Sequence, residues 1–539
     1  MDHSVLWLVL VLCAMVAALS VAARRLRVAS PILMLVAGVV LAFVPGIPTV
    51  SLDPDLVLVL LLPPLLYSSG VSMSWRGFRS NLRPILLLAI GCVLFTAGAV
   101  AAVVHYALGF SWAVGFVLGA IVSPPDAVAP MALLRSMHLP RRLVTVLEGE
   151  SLVNDATALV ILGFAIAAVA SGTFSPVAAS MQFAEVVIAE IAFGIIVGWV
   201  MLRLRHLASD SRAEVLLALI TPFLAFWPPH ALGGSGVVAC VVSGLYVSWN
   251  GRRMIRPDTR LQGYFIWDLM TWAIEALVFL LTGLQARSVA LGLAGDGLAH
   301  AILAAAIVTV TVVAVRFIWV YPATYLPRLF VTAYRRSDPL PDWRQPFLVA
   351  FTGLRGVVSL AGALLIPVTI GGNPFPDRDI VLFVTYVVIV ATMVGLGLTL
   401  RPVVRAIGLS QAGAQEHAAN RRDEQQVRLE ALDSVLGTLD EATHPRAGAL
   451  RRAYADRRSR IAMVESSRPD LDTAARCNLE LNLIDVERDA IARSYEENRI
   501  TDEARRRIER ELDLEEARVR HALAGTFARD LAAADPIAQ

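Results

Sequence analysis

Residues 148–158 read EGESLVNDATA and set Glu148, Glu150, Ser151, Asn154 and Asp155 inside a long apolar region. An ionisable side chain at bilayer depth is costly, so it is a functional-site candidate by default. On a helix, Ser151 and Asp155 stand four positions apart, as do Glu150 and Asn154, and the two pairs project from neighbouring strips of one side. Ser151 and Asp155 thus offer a hydroxyl and a carboxylate to one point in space, an oxygen set that a cation or a proton can use. Glu148 is expected to be a wetter acid in the first turn, near the cytoplasmic approach.

A second polar point lies just upstream, in AIVSPPDAVAPMALL at 120–134. Pro124 and Pro125 remove backbone donors and disfavour helix through Ser123 to Asp126, so the helix should break at mid-membrane. Unwound backbone at that depth is tolerated where it is buried in protein or lines a cavity, and carbonyls near Ser123 and Pro124 would be free to ligand a cation. Asp126 would open the second half-helix, where exposed amides favour a carboxylate. A proline kink capped by an aspartate explains this segment alone; it does not explain the second acid at 155.

A third point is Arg355 in FTGLRGVVSLAGALLIPV, residues 351–368. If buried, it needs a counter-charge, and Glu150 is the acid left once Asp126 and Asp155 are given to the ion. Alternatively it sits at the end of its span and snorkels to the interface. Asp268 and Glu275 are seven positions apart on one helical face; Asp268 reads as interfacial and Glu275 as a deeper, second-rank candidate.

The elements that must position these residues are membrane spans. The chain has 539 residues, 56% of them apolar, with mean hydropathy +0.64 and net charge +2. Apolar runs of about 18 to 25 residues recur along it, long enough to cross a bilayer. Thirteen spans are predicted, centred near residues 13, 38, 62, 95, 124, 157, 194, 221, 241, 275, 309, 357 and 393. The first, followed by Arg24, Arg25 and Arg27, has no basic region before it and reads as a retained helix, not a cleaved signal.

Arginines gather after alternate spans: Arg76, Arg79 and Arg83 after the third; Arg135, Arg141 and Arg142 after the fifth; Arg203, Arg205 and Arg212 after the seventh. Arg252, Arg253, Arg256 and Arg260 follow the ninth, and Arg328, Arg335, Arg336 and Arg344 the eleventh; Arg287 and Arg378 are the exceptions. This pattern predicts an outside N-terminus and a cytoplasmic C-terminus. There is no lysine. Residues 1–409 form the predicted membrane domain, and 410–539, rich in charges of both signs at helical spacing, a cytoplasmic helical tail. Cys13, Cys92, Cys240 and Cys477 show no disulfide or zinc spacing.

SPPDAVA, LEGESLVNDATALV, GLRGVVSLAGAL and LLPPLLYSSG together resemble the sodium/proton exchangers of the bacterial cation:proton antiporter-1, NhaP-like family, over roughly residues 5–408. The resemblance implies an all-α polytopic membrane protein with the NhaA/NhaP-like antiporter fold: about thirteen helices, two inverted repeats of spans one to six and eight to thirteen, crossed broken helices in spans five and twelve, and a homodimer in the cell membrane. It implies that Asp155 is the main ion and proton carboxylate, assisted by Asp126 and Ser151, with Asn154 beside it, Na⁺ held at Asp155, Asp126 and Ser151, and Glu150 paired with Arg355. Ser123 is a secondary candidate, and so is Ser68, which stands where many relatives carry an acid. A second departure is Pro125 immediately before Asp126, where a threonine is usual.

The expected activity is exchange of Na⁺ for H⁺ by alternating access, with K⁺/H⁺ or broad monovalent exchange as the alternative, and a channel or a membrane sensor behind it. Related electrogenic antiporters carry two aspartates where this chain has Asn154 and Asp155, and a membrane lysine that this chain lacks, so one-for-one electroneutral exchange is expected. No nucleotide, metal or nucleophile constellation points to an enzyme; no cofactor and no nucleic-acid partner is expected, and membrane lipid is.

Overall fold

A computed structural model describes residues 3–26, 28–45, 56–134, 137, 139–172, 176–208, 210–293, 298–330, 340–370, 372–441, 445–463, 471–497 and 499–533. Arg27, Arg135, Arg335 and Arg336 of the basic loops lie outside the described residues. The chain divides into two compact units, Met1–Gly413 and Ala414–Gln539.

Helices form at all thirteen predicted spans, twelve of the predicted centres lying inside a helix and the thirteenth, residue 124, between two half-helices. The first six are α1 (His3–Leu26), α2 (Ser30–Ala42), α3 (Leu62–Ser72) with a π-helical turn before it, the run α4 (Trp75–Ser80), α5 (Leu82–Leu86) and α6 (Val93–Leu108), the broken pair α7 (Trp112–Val122) and α8 (Val128–Leu134), and α9 (Arg141–Ser171). Then come α10 (Pro176–Leu207), α11 (Ser211–Ala231), α12 (Val237–Met254), α13 (Pro257–Leu284) with the short α14 (Ala286–Leu291), and α15 (Leu298–Phe330). A second broken pair, α16 (Arg344–Phe351) and α17 (Val357–Leu364), precedes a two-stranded ribbon, β1 (Thr369–Ile370) and β2 (Asn373–Pro374), and α18 (Arg378–Ala406). Among the described residues, seven helices are long and apolar enough to cross a membrane unaided; four others are shorter apolar helices.

Local chemistry sets several ends. Ser111 caps α7 by accepting from the Val114 amide at 3.3 Å, while Gly109 and Gly172 end α6 and α9 at positive φ, where a Cβ is disfavoured. Two crossings tie the halves together. In one, α2 meets α13 through Gly38 and Gly283; in the other, α3 meets α12 through Gly70 and Gly244, and a Cβ at any of the four would strike the facing backbone. Small residues permit such close helix approach in a membrane. Mapping spans one to six onto eight to thirteen exchanges one crossing with the other, as the inverted-repeat relation requires.

Glu190 of α10 shows how a buried acid can be purely architectural. Its carboxylate accepts from the amides of Ser235 (2.7 Å), Gly236 (2.9 Å) and Val238 (3.1 Å) at the start of α12. These three orphan amides and the positive end of the helix dipole hold the charge.

The second unit is helical throughout its described parts, with α19 (Leu409–Asp440) entering it, followed by α20 (Ala447–Met463), α21 (Leu471–Glu496) and α22 (Asp502–Ala533). Cys477, Ile484, Leu512 and Val519 form a small core between α21 and α22. Arg458 beside Asp433 draws that exposed carboxyl below its usual range, and pairs such as Arg505 with Glu509 at 2.9 Å recur at helical spacing. Such exposed pairs add little stability individually.

Candidate functional site

The breaks in the two discontinuous helices meet. Helix α7 ends at Val122 and α8 starts at Val128; α16 ends at Phe351 and α17 starts at Val357. Between them the unwound segments bond to each other: the Asp126 amide donates to the Leu354 carbonyl at 2.7 Å. This is the backbone that Pro124 and Pro125 withdraw from helix. Gly353 and Gly356 permit the contact, since a Cβ at 353 would strike the Arg316 side chain and one at 356 the Asp126 carboxylate.

Asp126 caps the second half-helix, its Oδ1 accepting from the Val128 amide at 2.9 Å, while its Oδ2 is buried with no hydrogen-bond partner. Helix α9 runs past this point and supplies the remaining groups. Ser151 Oγ accepts from the Ala127 amide at 3.4 Å, and Asn154 Nδ2 donates to the Pro125 carbonyl at 2.7 Å. Asp155 is 8% exposed, lies within electrostatic range of Asp126, and receives no side-chain hydrogen bond among the described residues. Asn154 therefore does more than withhold a charge: its amide pins the unwound chain, a role that an ionised aspartate could not fill because it has no donor.

The expected Glu150–Arg355 pair is not formed. Glu150, 2% exposed, is gripped by Arg316 of α15, whose Nη1 reaches Oε1 at 2.5 Å and Nη2 reaches Oε2 at 2.9 Å. Arg316 also donates from Nε (3.1 Å) and Nη2 (3.0 Å) to the Val349 carbonyl. Arg355 is 1% exposed, so it does not snorkel. Its Nη1 donates to the Ser123 carbonyl at 2.7 Å, and its amide donates to Thr392 Oγ1 of α18 at 3.0 Å. The reason is helical electrostatics. Half-helices α7 and α16 each end in the membrane with orphan carbonyls and a partial negative charge, and each receives an arginine there. The Ser123 carbonyl, expected to face a cation, faces that guanidinium.

Of the secondary candidates, Ser123 is buried with its hydroxyl on the Ala120 carbonyl at 3.0 Å, and Ser68 donates to Leu65 O at 2.9 Å within α3. Glu275 stands half-buried on α13, Asp268 is exposed, and Glu148 is half-buried in α9. Sequence reasoning missed Arg316, although a single arginine in the middle of AILAAAIVTVTVVAVRFIWVY carries the signal of an ionisable residue in a span. A cavity of about 10 Å³, walled by Pro125, Ala127, Ser151 and Thr352 with Glu150 and Arg316, opens beside the crossing and has room for about one water-sized occupant.

Known proteins match this architecture. The family described as sodium/hydrogen exchanger, transmembrane, matches residues 10–406. An uncharacterised Na⁺/H⁺ exchanger of Mycobacterium tuberculosis is 35% identical over 94% of this chain and 96% of its own length. The Na⁺/H⁺ antiporter ApNhaP of Aphanothece halophytica is 31% identical over 76% of this chain and 75% of its own. A sodium, potassium, lithium and rubidium/H⁺ antiporter of Bacillus pumilus is 31% identical over 72% and 59%. The sodium proton antiporter MjNhaP1 of Methanocaldococcus jannaschii shares the fold, with a TM-score of 0.60 at 16% identity over 75% of this chain and 98% of that one.

Proposed function

The chain belongs to the sodium/hydrogen exchanger family, and on that premise we propose that it exchanges a monovalent cation, Na⁺ first, for H⁺ by alternating access at Asp155 and Asp126, with Ser151 as a further ligand. The observation that carries this reading is the pair of aspartates at the crossing of two unwound segments, with Asp126 Oδ2 unpartnered and Asp155 outside the hydrogen-bond network. A carboxylate in a low dielectric is disfavoured as a bare anion, and either a proton or a cation neutralises it. Proton and cation therefore compete for one site. If the neutralised site can change faces and the bare one cannot, competition becomes obligatory exchange, and an inward proton gradient drives the cation out.

Charge bookkeeping supports one-for-one exchange. The cluster at the crossing holds two buried arginines, Arg316 and Arg355, and three carboxylates, the buried Glu150 and Asp155 and the half-buried Asp126. Arginine does not deprotonate, so with every carboxylate ionised the cluster lacks one positive charge, which one monovalent cation or one proton supplies. The cycle then moves no net charge. We further assign the outside to the N-terminus and the cytoplasm to the C-terminus from the arginine alternation, and a homodimer in the cell membrane, with intracellular pH and salt balance as its use. A broader monovalent selectivity is the second reading, favoured by Ser68 in place of an acid and by the Bacillus pumilus relative.

Reconstituted protein tests this. A Na⁺ or Li⁺ gradient should drive proton movement across proteoliposomes, at an unchanged rate when valinomycin and K⁺ clamp the potential; K⁺ in place of Na⁺ separates the two selectivities. No cation-dependent proton flux, or a membrane potential built from the Na⁺ gradient, would end the proposal.

A further inference from the structure

A continuous chain of hydrogen bonds runs through the crossing from α9 to α18. Asn154 Nδ2 donates to the Pro125 carbonyl at 2.7 Å, and the amide of that same peptide unit, on Asp126, donates to the Leu354 carbonyl at 2.7 Å. The amide of the facing unit, on Arg355, donates to Thr392 Oγ1 at 3.0 Å, and the Thr392 hydroxyl donates to the Val388 carbonyl of its own helix at 2.8 Å. Two peptide units, 125–126 and 354–355, are thus each held at both carbonyl and amide. Asn154 anchors one end of the chain and Thr392 the other, and the spans that carry them, six and thirteen, correspond in the inverted repeat. Every donor points the same way along the chain, so each bond polarises the next.

We propose that Thr392 is a positioning residue for the ion site: its hydroxyl fixes peptide unit 354–355, and through it Asp126, in the arrangement that binds the cation. The inference rests on the assignment of Asp126 to the exchanged cation. A buried threonine that bonds a carbonyl one turn back in its own helix is ordinary; here the same oxygen also accepts an amide from the unwound segment. Burial on α18 does not by itself produce such a bond, since Thr385 is equally buried there and its hydroxyl has no partner. Unit 354–355 needs an outside anchor because Gly353 and Gly356 flank it, and glycine restrains backbone rotation least. If the unit turned, the Leu354 carbonyl would leave the Asp126 amide. Asp126, whose carboxylate caps α8 through the Val128 amide, would then lose the bond that sets its own peptide plane.

The test compares Thr392→Val, which keeps the shape and removes the acceptor, with Thr392→Ser, which keeps the acceptor. Hydrogen–deuterium exchange of the full chain in detergent reads the amides at 126–128, far from position 392 in sequence. Na⁺-driven proton flux in proteoliposomes reads the site. In Thr392→Val the Asp126 amide should exchange about tenfold faster and the KM for Na⁺ should rise about tenfold, the equivalent of one buried hydrogen bond, with little change in maximal flux. Thr392→Ser should restore both. If the valine variant does not fold, Thr392→Ala gives the same reading. Protection at 126–128 that is unchanged in Thr392→Val, or lost as fully in Thr392→Ser, would overturn the anchor. Lost protection with an unchanged KM for Na⁺ would overturn its role at the ion. Absence of flux in the unaltered protein would instead end the exchange reading, and the amide protection would still decide whether Thr392 positions Asp126.

Discussion

Arg316→Met should destabilise the membrane unit by about 3–5 kcal/mol, because it leaves the Glu150 carboxylate buried without a partner. Glu150→Leu should cost a similar amount, leaving the buried Arg316 guanidinium on the Val349 carbonyl without its counter-charge. The double variant Glu150→Leu/Arg316→Met should recover much of the loss, since a well-packed apolar pair is often as stable as a buried ion pair. Melting of the purified variants provides the cycle, and the coupling between 150 and 316 should exceed 1 kcal/mol, as expected for directly bonded neighbours. The parallel cycle between Glu150 and Arg355 should show weaker coupling, because Arg355 bonds to the Ser123 carbonyl instead. Larger coupling to Arg355 would show that the bidentate Glu150–Arg316 pair is not the one that holds the unit together.

The second large effect concerns transport. Asp155→Asn should reduce cation-driven proton flux to the level of empty vesicles, at least about a hundredfold, while the protein remains folded, because the amide is nearly isosteric and neither binds a proton nor balances a cation. Asp126→Asn should lower the flux and keep the half-helix cap, since the amide oxygen can still accept from Val128. Flux retained in Asp155→Asn would move the transported proton to another residue.

How much of this could be read in the residues alone differs from element to element. The break in span five was legible because Pro124 and Pro125 remove donors whatever surrounds them. The facing of Ser151 and Asn154 towards that break follows from helical spacing once the break is known. The partner of Glu150 was not legible. Periodicity says which side of α9 Glu150 occupies, but not which of several neighbouring helices supplies the cation, and two buried arginines competed for it. Arg355 was drawn away by the carbonyl end of α7, a backbone charge that appears only when the helix stops. Arg316 stands in the sequence as a lone charge in an apolar run, a sign that it is buried but not of which acid it meets. The fourfold glycine contacts at 38, 70, 244 and 283 were equally invisible, since a glycine in a span shows its use only when the opposing backbone is in place.

The most direct measurement is proton release on cation binding. Purified protein in weakly buffered solution, titrated with Na⁺ while pH and bound cation are followed together, should release one proton for each Na⁺ bound, and Asp155→Asn should release none. Na⁺ binding without proton release, or release that persists undiminished in Asp155→Asn, would contradict a single carboxylate site shared in turn by the two ions.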